Sequence, residues 1–419
     1  MSGFSSLPRA RRRAIFGGVI AIVAVAGFGI YNVTSDDSID SPLNVDFVLG
    51  GGTESTGKGN QLAVQGKFGG LAAAPDGTVY LFTQGEDGMV MWRTEKSGTT
   101  EQIPISGMDG VTAEQTAVAS DGSVYLAADD LWKVSPEGKA AKVIDVCEGK
   151  EPTPLATTVS EFCTGQVTGV TVAKDGAVYI GDQVNWGRHG SYVHKVDGDT
   201  IELVAGRPPE DGESLKRSNP AVRNGINPPP GTKAKDVLVP EVTNSGWLSS
   251  DKQGLYWRTG FGIVRINHDG TLSPFVGAKS PNEISEPNVP FDNVGRALDA
   301  AIARNATSTE PRGDLAVLAG RDEVYYSEAG EEYSPPFTKA YRWGGSETAS
   351  QKKLLENSVA GKLIYRVADG QLAPVIVGAQ AITASDDALY VAAESNDGDK
   401  DNPENWNTAV VQVQLPKKN

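Results

Sequence analysis

Six segments of the chain repeat one pattern, an apolar stretch, a tight turn, and a Val or Leu followed by Tyr and further small or apolar residues. They run from GLAAAPDGTVYLF through TAVASDGSVYLA, GVTVAKDGAVYIG, GWLSSDKQGLYWR and DLAVLAGRDEVYYS to AITASDDALYVAA, and their tyrosines are Tyr80, Tyr125, Tyr179, Tyr256, Tyr325 and Tyr390. Alternating side chains around the Tyr fit half-buried strands. The Asp-Gly pairs at 76/77, 121/122 and 175/176 predict two-residue hairpin turns, in which Gly supplies the positive φ. A second hairpin follows in most units. Its first strand reads LWKV, YVHKV, GIVRI, LIYRV or AVVQV, with a basic or amide residue among aliphatics, and its second reads AKVI, IELVAG, LSPFVG or APVIVG. One such unit cannot bury both faces of its sheet, so neighbours must stack. Four antiparallel strands (a, b, c and d, from first to last), repeated six times, predict an all-β fold, the six-bladed β-propeller.

The ends of the chain predict how the ring closes. The last unit reaches its c strand at AVVQVQL and has no room for a d strand before Asn419. NVDFVLGGG, residues 44–52, has the d-strand pattern with no a, b or c strand before it. The N-terminal strand is therefore expected to complete the last blade and remove its open edge.

The third unit, GVTVAKDGAVYIGDQVNWGRHGSYVHKVDGDTIELVAG, resembles an NHL repeat, with Asp182, Asn185 and Arg188 at the D-x-x-N-x-R positions. In that family these residues mainly organise the b-to-c connection. The resemblance covers residues 44–416, although the D-x-x-N-x-R element is absent from the other units. It implies a six-bladed propeller similar to the extracytoplasmic sensor propellers of some actinobacterial receptor kinases. The cytoplasmic tail expected here is too short for a kinase, so only the sensor half would be represented.

Arg9, Arg11, Arg12 and Arg13 precede AIFGGVIAIVAVAGFGIYNV, residues 14–33, which carries no charge. Twenty helical residues at about 1.5 Å each span the roughly 30 Å hydrocarbon core. With basic residues before the span and acidic ones after it, the expected order is a cytoplasmic tail (1–13), a single transmembrane signal-anchor helix (14–33), a linker (34–43) and an extracytoplasmic propeller (44–416). The alternative is a signal peptide cleaved after Ala26, which would release the propeller as a secreted protein. Phe28, Ile30 and Tyr31 continue the apolar run past that point and favour the anchor.

Net charge is −15, and because the first 33 residues hold four Arg and no acid, the rest of the chain carries −19. Such a body repels phosphate backbones, which excludes nucleic acid as a partner. Only Cys147 and Cys163 are present. Outside the cytoplasm they are expected to form a disulfide, which by the loop-entropy argument contributes on the order of 3 kcal/mol.

The tyrosine spacings grow from 45 to 54, 77, 69 and 65 residues. The extra length falls at 146–167, 207–244 and 278–312 between d and a strands, and at 329–358 and 395–407 between b and c strands. All five connections leave the same face of an up-and-down blade, so the insertions are expected to crowd that face and leave tight turns on the other. Loops on a rigid scaffold are where binding concentrates. Arg223 in the Pro-rich insertion and Tyr333, Phe337, Tyr341 and Trp343 in the aromatic one are the partner-face candidates, for an envelope protein or a cell-wall glycan. Aromatics under a long loop equally serve to pin it to its own blade. Residues 291–305 place Val294, Leu298 and Ile302 at helical spacing after Asp292 and predict a short amphipathic helix.

Catalytic chemistry is sparse. His189, His194 and His268 match the minimum number of protein ligands for a catalytic zinc, but their positions do not converge, and they read as surface histidines. Asp397, Asp399 and Asp401 alternate as in a calcium loop, but Asn402 and Thr408 stand where such a loop needs Gly and Glu, so a solvated acidic loop is the plainer reading. No cofactor is expected. Two functions remain, a membrane-anchored, non-catalytic binding, sensor or scaffold propeller, and a calcium-dependent hydrolase or lyase of gluconolactonase type on the same scaffold.

Overall fold

Each tyrosine of the repeat lies directly across from a long polar residue on the next strand. The pairs are Tyr80 with Arg93, Tyr125 with Lys133, Tyr179 with Lys195, Tyr256 with Arg265, Tyr325 with Arg366 and Tyr390 with Gln412. Directly opposed side chains share one face of the sheet, and in blade two Lys133 Nζ sits 5.5 Å from the Tyr125 ring centre. The Tyr390 hydroxyl also reaches the Gly77 carbonyl, which ties the last blade to the first.

The computed structural model describes residues 44–415 apart from 109, 149, 184–189, 217–218, 241–245, 260–261, 278–294, 297–314, 330–347, 357–361 and 399–401. Blade one comprises Lys67–Ala73, Val79–Gly85, Gly88–Thr94 and Thr100–Pro104. Blade two comprises Gln115–Val118, Val124–Ala128, Asp130–Val134 and Ala140–Ile144. Blade three has Val167–Val172, Val178–Gln183, Ser191–Asp197 and Thr200–Ala205. Blade four has Leu248–Asp251, Gly254–Thr259, Gly262–Ile266 and Leu272–Gly277. Blade five has Leu315–Leu318, Glu323–Ala329, Lys362–Ala368 and Gln371–Ala379. Blade six has Ala381–Ala384, Leu389–Asn396 and Trp406–Val413, and its outer strand is Val45–Leu49.

Every pairing within a blade is antiparallel, and the inner strands touch in an unbroken circle from blade one to blade six and back. The closing strand pairs Val45 with Val413 and Phe47 with Val411, and buries Val45, Phe47 and Leu49. The core is divided into six apolar layers, one between each pair of neighbouring blades. Backbones approach closely between blades three and four, where a Cβ on Gly181 would stand 1.8 Å from the Gly246 carbonyl oxygen. Only glycine fits there.

Three sequence expectations are corrected. The Asp-Gly turns hold three residues rather than two. Ala74 N–H bonds the Thr78 carbonyl, only Gly77 has positive φ, and the Asp76 carboxylate accepts the Thr78 N–H, so the turn is a type I turn followed by a glycine bulge. Blades two and three repeat this at Gly122 and Gly176. In the segment expected to be helical, 291–305, the two described residues Gly295–Arg296 are a strand paired with Leu372 and Gln371. The outer edge of blade five offers free peptide groups, and Gly295 has little preference for a helix.

The third correction concerns the insertions 146–167 and 207–244, which reach past their own face to the rim. Successive d-to-a connections bond the outer turn of the following blade, with Gly59 N–H to the Gly98 carbonyl, Ser106 to Gly138, Val159 to Asp199 and Ala234 to Gly270. Twist accumulates over four strands and swings each outer strand toward its neighbour's outer turn, so the two faces meet at the rim. Among the described residues no helix is long and apolar enough to cross a membrane, and the expected span 14–33 lies outside them.

Candidate functional site

The six inner strands present their free edges to the propeller axis, so backbone N–H and C=O groups line it. Gln115, at the start of the inner strand of blade two, is 8% exposed and lies across this axis. Its Oε1 accepts the N–H groups of Val170 at 3.0 Å and Leu248 at 2.9 Å. Its Nε2 donates to the carbonyls of Leu248 at 2.6 Å and Leu315 at 3.4 Å. The Thr116 hydroxyl donates to the Leu71 carbonyl. One short segment thus ties blade two to blades one, three, four and five. On the insertion side of Gln115, beside Phe68, Glu114 and Gln380, the cavity holds about 10 Å³, no more than a single water needs. On the side of the a-to-b turns the channel widens to about 140 Å³.

The insertion 146–167 packs against blade three. Cys147 and Cys163 are bonded, and the Thr153 hydroxyl donates to the Glu161 carbonyl and accepts the Cys163 N–H. Beneath it lies His194, which is fully buried rather than a surface histidine, because strand alternation turns it into the layer between blades two and three. Phe162 meets the ring edge-on at 4.8 Å, and Nε2, 2.9 Å from the Pro154 carbonyl, carries the proton and donates it. Burial lowers its pKa to about 4. Asp182 is buried on the same face of the blade. Burial raises its carboxyl to about 7, against the opposing pull of the Thr164 hydroxyl and the Gly165 and Gln166 N–H groups. Thr164 donates to Oδ1, while Oδ2 has no hydrogen-bond partner among the described residues. Asp182 and His194 therefore clamp this insertion at two points. Replacing both cysteines by Ala should cost about 3 kcal/mol in urea unfolding. A smaller effect than about 1 kcal/mol would show that these contacts hold the loop without the bond.

The insertion after Ala205 is also braced from within. Arg207 forms a two-point pair with Glu213, at 2.7 and 2.8 Å, and this contact holds the Glu213 carboxyl down at about 2. Asn219 Nδ2 donates to Glu213 and to the Ser214 carbonyl, while its Oδ1 caps the helix Pro220–Ile226 through the Ala221 N–H. Val222 and Leu238 are buried under the helix, and Arg223 is exposed on it. The returning chain inserts Ala234, Val237 and Val239 into the layer between blades three and four.

The other sequence candidates are dispersed or lie outside the described residues. Tyr333, Phe337, Tyr341, Trp343, Asn185, Arg188, His189, Asp399 and Asp401 fall outside them. Asp397 pairs with Lys353 at 3.1 Å, and exposed His268 donates from Nε2 to the Lys252 carbonyl. Among the described residues no three His, Cys, Asp or Glu side chains gather as a metal site. Sequence reasoning missed Gln115 because nothing in its local pattern differs from any polar residue opening a strand.

No protein-family model matches the chain, and no curated protein matches it. Solved structures of low identity are similar in fold. An auxiliary nutrient binding protein from Bacteroides thetaiotaomicron VPI-5482 is 9% identical over 88% of this chain and 76% of its own, with a TM-score of 0.46. The calcium-binding protein regucalcin from Agrobacterium tumefaciens str. C58 is 12% identical over 90% and 96%, with a TM-score of 0.41. A gluconolactonase from Xanthomonas campestris is 11% identical over 84% and 88%, with a TM-score of 0.40.

Proposed function

We propose that this chain is a non-catalytic binding or scaffold propeller, held outside the cytoplasm by its N-terminal helix, that engages an envelope protein or a cell-wall glycan through its insertions. The observation that carries this reading is Gln115. Its amide fills the axis at the insertion end and is committed to backbone groups of three other blades. The alternative, a calcium-dependent hydrolase of gluconolactonase type, requires carboxylate and amide ligands converging on that same space. The insertions 146–167 and 207–244, in contrast, are braced by the disulfide and by the Arg207–Glu213 pair, and a braced surface loses less entropy on binding.

Photo-crosslinkers placed at Arg223 and Trp343 in the full chain should capture a partner in cells, and those at Gly77 and Gly122 in the a-to-b turns should capture little or only lipid. Equal capture at both sets of positions, or capture only at the turns, would overturn the assignment. Titrating the full chain with calcium tests the alternative, since tight binding that Gln115→Ala abolishes would favour it.

A further inference from the structure

The opposite end of the channel has a different chemistry. Peptide groups along an antiparallel strand point alternately at the partner strand and at the free edge. The N–H groups of Ala74, Ala119, Ala173 and Ser385 bond across the a-to-b turns to the carbonyls of Thr78, Ser123, Ala177 and Ala388, on the side of the b strands. One residue earlier, Ala73, Val118, Val172 and Ala384 therefore turn both N–H and C=O to the axis. Ser250 and Val317 do the same, two residues beyond Leu248 and Leu315, whose axial groups Gln115 engages. All six line the 140 Å³ cavity, and their axial groups have no hydrogen-bond partner among the described residues. The Thr171 and Ser250 hydroxyls, 3.3 Å apart, and Thr383 add to the wall.

Size and charge narrow what fits. A cavity near this volume takes one six-membered ring. Donors and acceptors are matched, so an anion would meet the carbonyls and a cation the amides, each at a desolvation cost. Among the described residues the one carboxylate in the lining, Asp386, is exposed in an a-to-b turn. A hydroxyl both donates and accepts, which answers an edge where N–H and C=O alternate. The geometry points to a binding site for a neutral polyhydroxylated ring, of monosaccharide or cyclitol size, at the a-to-b end of the channel. It is separate from the insertion platforms and does not depend on what binds there.

Titration calorimetry on the full chain tests it with glucose and myo-inositol, and with glucosamine and glucuronate as charged rings of similar size. At least one neutral ring should bind, and the charged ones about tenfold or more weakly. Vesicles bearing a neutral galactolipid, run in parallel, distinguish a headgroup from a free sugar as the source, and uptake of either supports the site. Ser250→Tyr should fill the cavity and abolish binding. Should that variant not melt cooperatively, Thr171→Val with Ser250→Ala takes away both hydroxyls with little change of volume and should weaken binding about tenfold. The site is refuted if folded protein takes up no neutral ring, if charged rings bind equally well, or if binding survives these substitutions unchanged.

Discussion

Removing residues 34–52 should leave a protein that aggregates or unfolds without a cooperative transition. The segment contains Val45–Leu49, the outer strand of blade six, paired along Trp406–Val413. Val45, Phe47 and Leu49 fill layers on both sides of that blade. At about 1.5–3 kcal/mol per buried side chain, their loss alone amounts to roughly 5–9 kcal/mol, comparable with the whole stability of a typical domain. The exposed edge of Trp406–Val413 would also be open to pairing with another chain. Differential scanning calorimetry and light scattering on the truncated and intact proteins measure both effects. Adding a peptide of residues 44–52 should restore the transition, and a truncation that melts like the intact protein would show that the ring is held by other contacts.

The second large effect is an opposed pair of pH dependences within one layer. Asp182 has its pKa raised from 3.8 to about 7 by burial, so between those values the folded state holds a proton that the unfolded state has released. Its contribution is complete below pH 3.8 and is lost as pH rises through 7, a change of about 4 kcal/mol. His194 is lowered from 6.5 to about 4, so in that window the unfolded state holds the extra proton and stability is lost as pH falls, by about 3 kcal/mol. From pH 4 to 6.5 the two slopes have opposite signs and nearly cancel. Asp182→Asn, which still accepts from Thr164, should unmask the histidine, so that stability rises with pH across this range. His194→Gln, which keeps a donor for the Pro154 carbonyl, should unmask the aspartate and reverse the slope. Urea unfolding at several pH values between 4 and 6.5 measures this, and parallel pH profiles for the two variants would contradict it.

Both groups brace the disulfide-closed insertion, and that placement was only partly legible. The D-x-x-N-x-R resemblance drew attention to Asp182 as an organiser of the b-to-c connection. Its partner among the described residues, Thr164, belongs to the d-to-a insertion that precedes the blade, and the b-to-c connection 184–189 lies outside them. His194 reads as a surface residue once the three histidines fail to converge on a metal. The repeat position opposite the tyrosine belongs to Lys195, and His194 takes the buried side.

By itself, the sequence determined the repeat, the number of blades, the strand that closes the ring and the positions of the long connections. These rest on short-range physics, the two-residue alternation of strands, the turn chemistry of Asp-Gly, and the count of strands at each end of the chain. Tertiary structure alone decided what lies on the axis and at the rim. Gln115 meets partners 55, 133 and 200 positions away, and no local pattern distinguishes it from a solvent-exposed glutamine. The rim contacts arise from strand twist, which carries each outer strand to the next blade's turn, and twist is a property of the assembled sheet rather than of any segment. The polar ring beneath Gln115 consists of backbone groups that every residue but proline carries in full, so it exists only once six free edges are brought around one axis.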